Sequence, residues 1–205
     1  MVLYYIVLFT TRINNLRSRV FYDMMWACNI SMIHCIQALF TNNPILLGAS
    51  ILNIAIDQIL WYFDCVGYVF TGKFKVGVAK YLIWPDTHWT SKITATHHLW
   101  FIPFVGYILA RSGGLKFESW YLSAIAMTCL WIVSRHTVPK TLKNKKDDTE
   151  LYMNVNLAYE LWKDVKIRIL EVLTKDVPYV QSVTVTMFFW NLFNLCCFGL
   201  LKIFM

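Results

Sequence analysis

The sequence predicts an all-α fold, a polytopic helical bundle in a membrane with about five transmembrane helices and one amphipathic interfacial helix. Of the 205 residues, 58% are hydrophobic and only 15% are charged. A soluble domain of this size usually carries about 25% charged residues. The apolar residues also form runs that reach the length of about 20 residues needed to cross a bilayer. We expect one integral membrane domain over residues 1–205, because no linker separates two parts.

Five apolar runs form the predicted spans, at residues 21–40, 44–70, 93–110, 117–138 and 180–204. A Gly-Gly pair marks the turn after the third span, and a proline follows the fourth. The stretch at about 155–175 carries too many charges to span the membrane. Its apolar residues recur at helical spacing, which is typical of an amphipathic helix lying on the membrane surface or against the bundle.

The chain begins with nine apolar residues, MVLYYIVLF, followed by basic ones. A secretory signal has the opposite order, and no small-residue cleavage site follows, so we expect no cleaved signal peptide. Nine residues are too few to span a bilayer. This segment is therefore predicted to be an interfacial or partly inserted lead-in.

Basic residues predict the orientation of the bundle. Only Arg111, Lys116 and Lys202 fall on one side of the predicted spans. The other side takes the remaining sixteen of the nineteen Lys and Arg residues: Arg12, Arg17, Arg19, Lys73, Lys75, Lys80, Lys92, Arg135, Lys140, Lys143, Lys145, Lys146, Lys163, Lys166, Arg168 and Lys175. The positive-inside rule then places the N-terminus in the cytoplasm, or in the matrix if the membrane is mitochondrial.

The formal net charge of +7 does not favour nucleic acid as a partner, because the basic residues lie between apolar runs. That arrangement suits anionic lipid head groups better. The six cysteines all lie inside apolar runs without Cys-x-x-Cys or finger spacing. We therefore expect buried reduced thiols, with neither a disulfide framework nor a zinc finger, and we predict no cofactor.

The second predicted span contains Asn53, Asp57 and Asp64, which spacings of four and seven place on one helix face. Ionisable residues in hydrocarbon are costly and require a reason. One interpretation is a polar binding cavity with the Asp57 carboxylate at mid-depth. The alternative is that Asp57 is protonated, or bonded to a neighbouring helix, and holds the bundle together. Asp64 lies near the basic side, where it is expected to pair with a lysine.

Two adjacent histidines, His97 and His98, begin the third predicted span. One of them is a candidate general base or proton shuttle, and we favour His98. Successive residues of a regular helix point about 100° apart, so we predict that the pair does not form a two-histidine metal site. The alternative is a pair of interfacial histidines at head-group depth.

Small polar residues occur in the first predicted span, among them Cys28 and Asn29. Such residues let helices pack closely, and packing is the favoured interpretation for each of them. Cys28 is also a candidate nucleophile, and Asn29 a candidate binding residue. In the amphipathic stretch, Asn156 is predicted to cap a helix, or Asn156 and Tyr159 to face a cavity at the cytoplasmic mouth.

Several motifs resemble a little-characterised family of small multi-spanning membrane proteins of bacteria and eukaryotes. They are WACNISMIHC, NNPILLG, IDQILWYFDCVGYVFTGK, TATHHLWFIPFVGYIL and LYMNVNLAYELW, which cover most of the chain from Trp26 to Trp162. This resemblance implies a topology and no particular activity. A weaker similarity is to the androgen-induced-gene type of intramembrane lipid hydrolases and their acyltransferase-like relatives. It implies a nucleophile at Cys28 and a histidine helix with His98 five residues before Pro103.

Three functions remain open from the sequence. The first is a lipid-handling acyl hydrolase or transferase, with Cys28 or a buried Thr as nucleophile, His98 as base and Asp57 orienting the histidine. The second is a non-enzymatic accessory subunit of a membrane complex, which the 9 Trp, 11 Tyr and 14 Phe would suit. The third is a transporter with a proton path along Asp57 and His98. The expected partners are membrane lipids and other membrane subunits.

Overall fold

A computed structural model describes residues 1–16, 20–85, 87–143, 150–160 and 168–205. Apart from one short antiparallel hairpin, its regular structure is helical. The helices are α1 (Val2–Leu16), α2 (Val20–Met24), α3 (Ala27–Thr41), α4 (Pro44–Leu52), α5 (Ala55–Thr71), α6 (Trp89–Thr94), α7 (His97–Arg111), α8 (Phe117–Thr137), α9 (Arg168–Thr174) and α10 (Tyr179–Phe204). The hairpin pairs β1 (Thr141–Lys143) with β2 (Glu150–Tyr152), and 3-10 turns lie at Lys80–Ile83 and Val155–Leu157.

Among the described residues, three helical stretches are long and apolar enough to cross a membrane: Trp89–Arg111, α8 and α10. The consecutive helices α4 and α5 meet at an angle of 44° and together would make a fourth crossing. The first predicted span is instead two helices, α2 and α3, and α3 has only 15 residues. A helical bundle compatible with an integral membrane protein is thus confirmed, whereas the count of five spans is not.

The break between α4 and α5 lies at Asn53 and Ile54. Asn43 caps the N-terminus of α4, because its side chain accepts hydrogen bonds from the backbone N–H groups of Ile45 and Leu46. The predicted common face of Asn53, Asp57 and Asp64 required one continuous helix. Asn53 lies in the break, so this part of the prediction is wrong.

One end of the bundle gathers most of the basic segments. Arg12 at the end of α1 donates to Ser91 Oγ in α6 over 3.2 Å. Asn156 donates to Ser134 Oγ near the end of α8 and accepts from the N–H of Ala27 at the start of α3, both over 2.8 Å. The end of α1, the start of α3, the start of α6 and the end of α8 therefore lie together. We call this the basic end of the bundle.

The first and last residues of the chain lie at the opposite end. Met1 lines one surface groove with Phe40, near the end of α3. A Cβ placed on Gly114 would lie 3.5 Å from the backbone oxygen of Met205. Because Met1 and Arg12 lie at opposite ends of α3, the helix α1 runs antiparallel to it, and Leu8 is fully buried in the core. The segment is a helix packed on the bundle, and its description as an interfacial or partly inserted lead-in stays a prediction.

The predicted amphipathic helix at 155–175 differs from the structure. Residues Val155–Leu157 form a 3-10 turn with Asn156 in the left-handed region (φ 55°), which ends any α-helix there. Within the described residues, α9 covers Arg168–Thr174. Residues 161–167 of the prediction lie outside the described residues.

Candidate functional site

Cys28, His97 and His98 come together at the basic end. Cys28 is the second residue of α3, and the two histidines are the first residues of α7, directly after the turn Ala95–Thr96. The Cys28 Sγ atom and one ring nitrogen of each histidine all lie within 4.8 Å of one another. The two imidazole centroids are 4.1 Å apart. His97 and His98 are successive residues of α7, for which the sequence predicted diverging directions, yet both rings lie beside Cys28.

His97 is held in one tautomer by the backbone. Its Nδ1 lies 2.6 Å from the carbonyl oxygen of Thr94. A carbonyl can only accept, so Nδ1 carries the hydrogen and Nε2 presents a lone pair. Tyr4 reinforces this turn, since its hydroxyl donates to the same carbonyl over 2.5 Å and accepts from the His97 N–H over 3.2 Å. His97 is 2% exposed, and within the described residues its Nε2 has no hydrogen-bond partner.

His98 is oriented by Gln58, a fully buried residue of α5. The Gln58 Nε2 donates to the main-chain carbonyl of His98. This fixes the amide so that its Oε1 lies 3.2 Å from His98 Nδ1, which must therefore donate. The indole of Trp61 stacks on the imidazole with centroids 5.3 Å apart and planes at 24°. Nε2 is again the nitrogen left with a free lone pair.

The sequence reasoning missed Gln58, Thr94 and Tyr4. The signal for Gln58 was present, because an amide inside an apolar run usually bonds to a neighbouring helix. Thr94 acts through its backbone carbonyl, and such a contact has no sequence signal. The predicted orienting role of Asp57 is not seen: the histidines bond to Thr94 and Gln58, and the described part of the chain gives the Asp57 carboxylate no hydrogen-bond partner.

Three ionisable side chains lie in the surroundings of Cys28: Asp23, Arg12 and Asp57. Arg12 pairs with Asp23, with 3.3 Å between Nε and Oδ2. It also donates to Thr94 Oγ1 over 3.3 Å, so α1 is fastened to the turn that carries the histidines. The partly exposed Asp57 adds a second carboxylate to this surrounding.

The two predicted binding amides, Asn29 and Asn53, are buried and hold the bundle together. Asn29 Nδ2 donates to the carbonyl of Asp23 over 2.8 Å, which ties α2 to α3. Asn53 Nδ2 lies 3.2 Å from Nδ1 of His34 and joins the helix break to α3. These contacts support the packing interpretation of such residues.

Asp64 is fully buried and organises the segment after α5. Its Oδ1 accepts from the N–H of Val76 over 2.7 Å, and its Oδ2 accepts from Gly77 over 2.8 Å and Ala79 over 3.1 Å. Backbone N–H groups thus stabilise the carboxylate in the place where a lysine was expected.

Asn156 and Tyr159 fasten the chain after β2 to the helix ends. Asn156 Nδ2 donates to the carbonyl of Met25 over 2.8 Å, in addition to its contacts with Ala27 and Ser134. The Tyr159 hydroxyl donates to the carbonyl of Val138 over 2.6 Å, and the Arg135 guanidinium lies 4.1 Å from the centre of its ring. Both side chains are engaged in these contacts, which gives them a structural role.

Comparisons of the chain with protein-family models, with curated proteins and with solved structures found no match. The two family resemblances therefore stay predictions. What can be inferred about function comes from the cluster of Cys28, His97 and His98 and from the apolar helices around it.

Proposed function

We propose that this chain is an integral membrane enzyme that hydrolyses or transfers acyl groups of lipids, with Cys28 as nucleophile and His98 as general base. One observation carries the proposal: Cys28 Sγ and a ring nitrogen of each histidine lie within 4.8 Å of one another. A thiol next to an oriented imidazole is the arrangement that covalent acyl transfer requires. The matching orienting group is Gln58, in place of Asp57.

The proposed reaction has two steps. His98 Nε2 takes the thiol proton as Cys28 Sγ bonds to the acyl carbon, and the ester C–O bond then breaks as the same proton passes to the leaving alcohol. Water, or an acceptor alcohol, then attacks the acyl thioester while His98 takes its proton. The C–S bond breaks, and the histidine returns the proton to the Cys28 thiolate. We assign the base to His98 because it is partly exposed, as Cys28 is, whereas His97 is buried.

The location of the cluster supports a lipid as substrate. Cys28 and the histidines lie at the starts of α3 and α7, at the basic end of the bundle. We propose that this end faces the cytoplasm or matrix, in line with the positive-inside rule, and that α3 forms the fifth and shortest membrane segment. The cluster then lies at the level where the acyl esters of anionic lipids meet the head groups.

Activity-based labelling tests this function. The full chain in lipid nanodiscs is treated with an alkyne-tagged, long-chain acyl chloromethyl ketone, and the release of fatty acid from an ester substrate is measured in parallel. We expect Cys28→Ser to lose both signals and His98→Ala to slow both by at least about 100-fold, the typical contribution of a general base. Cys65→Ser is the matched control, since Cys65 is also a partly exposed free thiol.

Two results would count against the proposed function. A wild-type protein that neither labels nor releases fatty acid removes it. Labelling that is equally strong in Cys28→Ser shows that another thiol reacts and removes the assignment of the nucleophile.

A further inference from the structure

We propose that the same three residues form a binding site for a divalent transition metal ion of the zinc class. The ligands are Cys28 Sγ, His97 Nε2 and His98 Nε2. As a binding site this cluster stands on its geometry alone. A regulatory role of the metal rests on the proposed function, because a metal bound to the Cys28 sulfur would block its attack on an acyl group.

The distances suit a metal site that has yet to contract around its ion. Zinc–sulfur bonds of about 2.3 Å and zinc–nitrogen bonds of about 2.0–2.1 Å place tetrahedral ligand atoms about 3.3–3.6 Å apart. Cys28 Sγ and one ring nitrogen of each histidine already lie within 4.8 Å of one another. Small side-chain rotations, about 1 Å shared among the three residues, would complete the geometry.

The hydrogen bonds behind the ligands are of the kind that metal-binding histidines use. Such histidines donate their second ring N–H to a carbonyl or carboxylate, which fixes the tautomer and aims the other nitrogen at the metal. His97 Nδ1 donates to the Thr94 carbonyl and His98 Nδ1 to Gln58 Oε1. Two different helices thus prepare two neighbouring imidazoles in the same tautomer.

A second observation points independently to a ligand. His97 is only 2% exposed, and its buried Nε2 atom has no hydrogen-bond partner among the described residues. A buried polar atom without a partner destabilises the folded protein. A metal ion on this lone pair removes that destabilisation.

The chemistry of the ligands selects the ion. A thiolate and two imidazoles favour zinc and related metals, whereas magnesium and calcium prefer oxygen ligands. The thiol proton leaves to solvent when the metal binds. Among the described residues only three ligands belong to the cluster, so a water molecule would take the fourth position, as in open zinc sites.

Metal binding and acyl transfer exclude each other at Cys28. The lone pair that would attack an acyl carbon, and the histidine nitrogen that would take the proton, are both coordinated. Zinc is therefore expected to switch off the proposed thioester chemistry, and its removal to restore it.

The binding test uses cobalt, which substitutes for zinc and gives a near-ultraviolet charge-transfer band when a thiolate coordinates it. The full chain in detergent is stripped with a chelator and titrated with Co²⁺. We expect a thiolate band that saturates at one ion per chain and is abolished when Zn²⁺ is added. Cys28→Ser should lose the band, and His97→Ala and His98→Ala should each weaken Co²⁺ affinity at least tenfold. His136→Gln, an exposed histidine at the end of α8, and Cys65→Ser should bind as the wild type does.

The outcomes separate the two proposals. Wild-type protein without a thiolate band at saturating Co²⁺, or a band that persists in Cys28→Ser, overturns the metal site. If the stripped protein labels at Cys28 and Zn²⁺ does not suppress the labelling, the regulatory inference is overturned and the enzyme proposal stands. If Co²⁺ binds as expected but the stripped protein never labels, the metal site stands and the enzyme proposal falls. A matching elution volume and circular dichroism spectrum show that each variant is folded.

Discussion

Replacing Asn156 by alanine tests how the start of α3 is held in place. The change removes the acceptor of the buried Ala27 N–H and the donor to Met25 and Ser134, all joined over 2.8 Å. An unsatisfied buried group costs about 1–3 kcal/mol. Alanine at a φ of 55° adds about 1–2 kcal/mol of backbone strain. The two effects together predict a loss of about 2–5 kcal/mol.

Thermal unfolding in detergent, followed by circular dichroism, measures this loss. At about 2–4 °C per kcal/mol for a chain of this size, the midpoint should fall by about 4–20 °C. Asn156→Gly loses the same hydrogen bonds without the strain, so its midpoint should lie between those of Asn156→Ala and the wild type. Asn156→Asp keeps the acceptor for Ala27 but sets an oxygen against the Met25 carbonyl, so it should also lower the midpoint. An alanine variant that unfolds within about 1 °C of the wild type refutes the reasoning, since it implies a loss below about 0.5 kcal/mol.

Three further predictions concern buried positions. Gln58→Leu removes the acceptor for His98 Nδ1 and should weaken Co²⁺ binding by about 10–100-fold in the same titration, whereas Gln58→Glu should stay within a few-fold. Asp64→Asn leaves three backbone N–H donors with a neutral partner, which should lower the free energy of unfolding by about 2–4 kcal/mol. Residues 76–79 should then become more open to protease, and equal cleavage of the variant and the wild type would contradict this prediction. In Gly48→Ala the new Cβ would lie 2.8 Å from Leu115 Cδ1, so we expect a loss of about 1–3 kcal/mol. Gly199→Ala, where nothing lies within 4 Å, is its control and should unfold as the wild type does.

The apolar runs predicted the later helices closely. The predicted spans at 117–138 and 180–204 became Phe117–Thr137 and Tyr179–Phe204. Hydropathy suffices there because a proline follows the first run and another precedes the second. The candidates Cys28, His97 and His98 were also found from residue type, since ionisable groups inside apolar runs are rare.

The arrangement of the site could not be predicted. The turn at Ala95–Thr96 contains neither glycine nor proline, so no residue in the sequence predicts that a helix begins at His97. The bond from Ala27 to Asn156 joins residues 129 positions apart, and such pairings follow from packing. For the same reason Asn156, predicted to cap its own helix or to face a cavity, caps α3 instead.

The unequal lengths of the helices have a consequence for the lipid around the molecule. The 15 residues of α1 and of α3 give each a length of about 22 Å, and the 21 residues of α8 give about 32 Å. A hydrocarbon layer of about 30 Å matches α8 but not the other two. The bilayer would thin beside α1 and α3, drawing water and lipid ester groups inward on that flank. Since Cys28 lies in the first turn of α3, the membrane position proposed for α3 would shorten the path from the head groups to its sulfur.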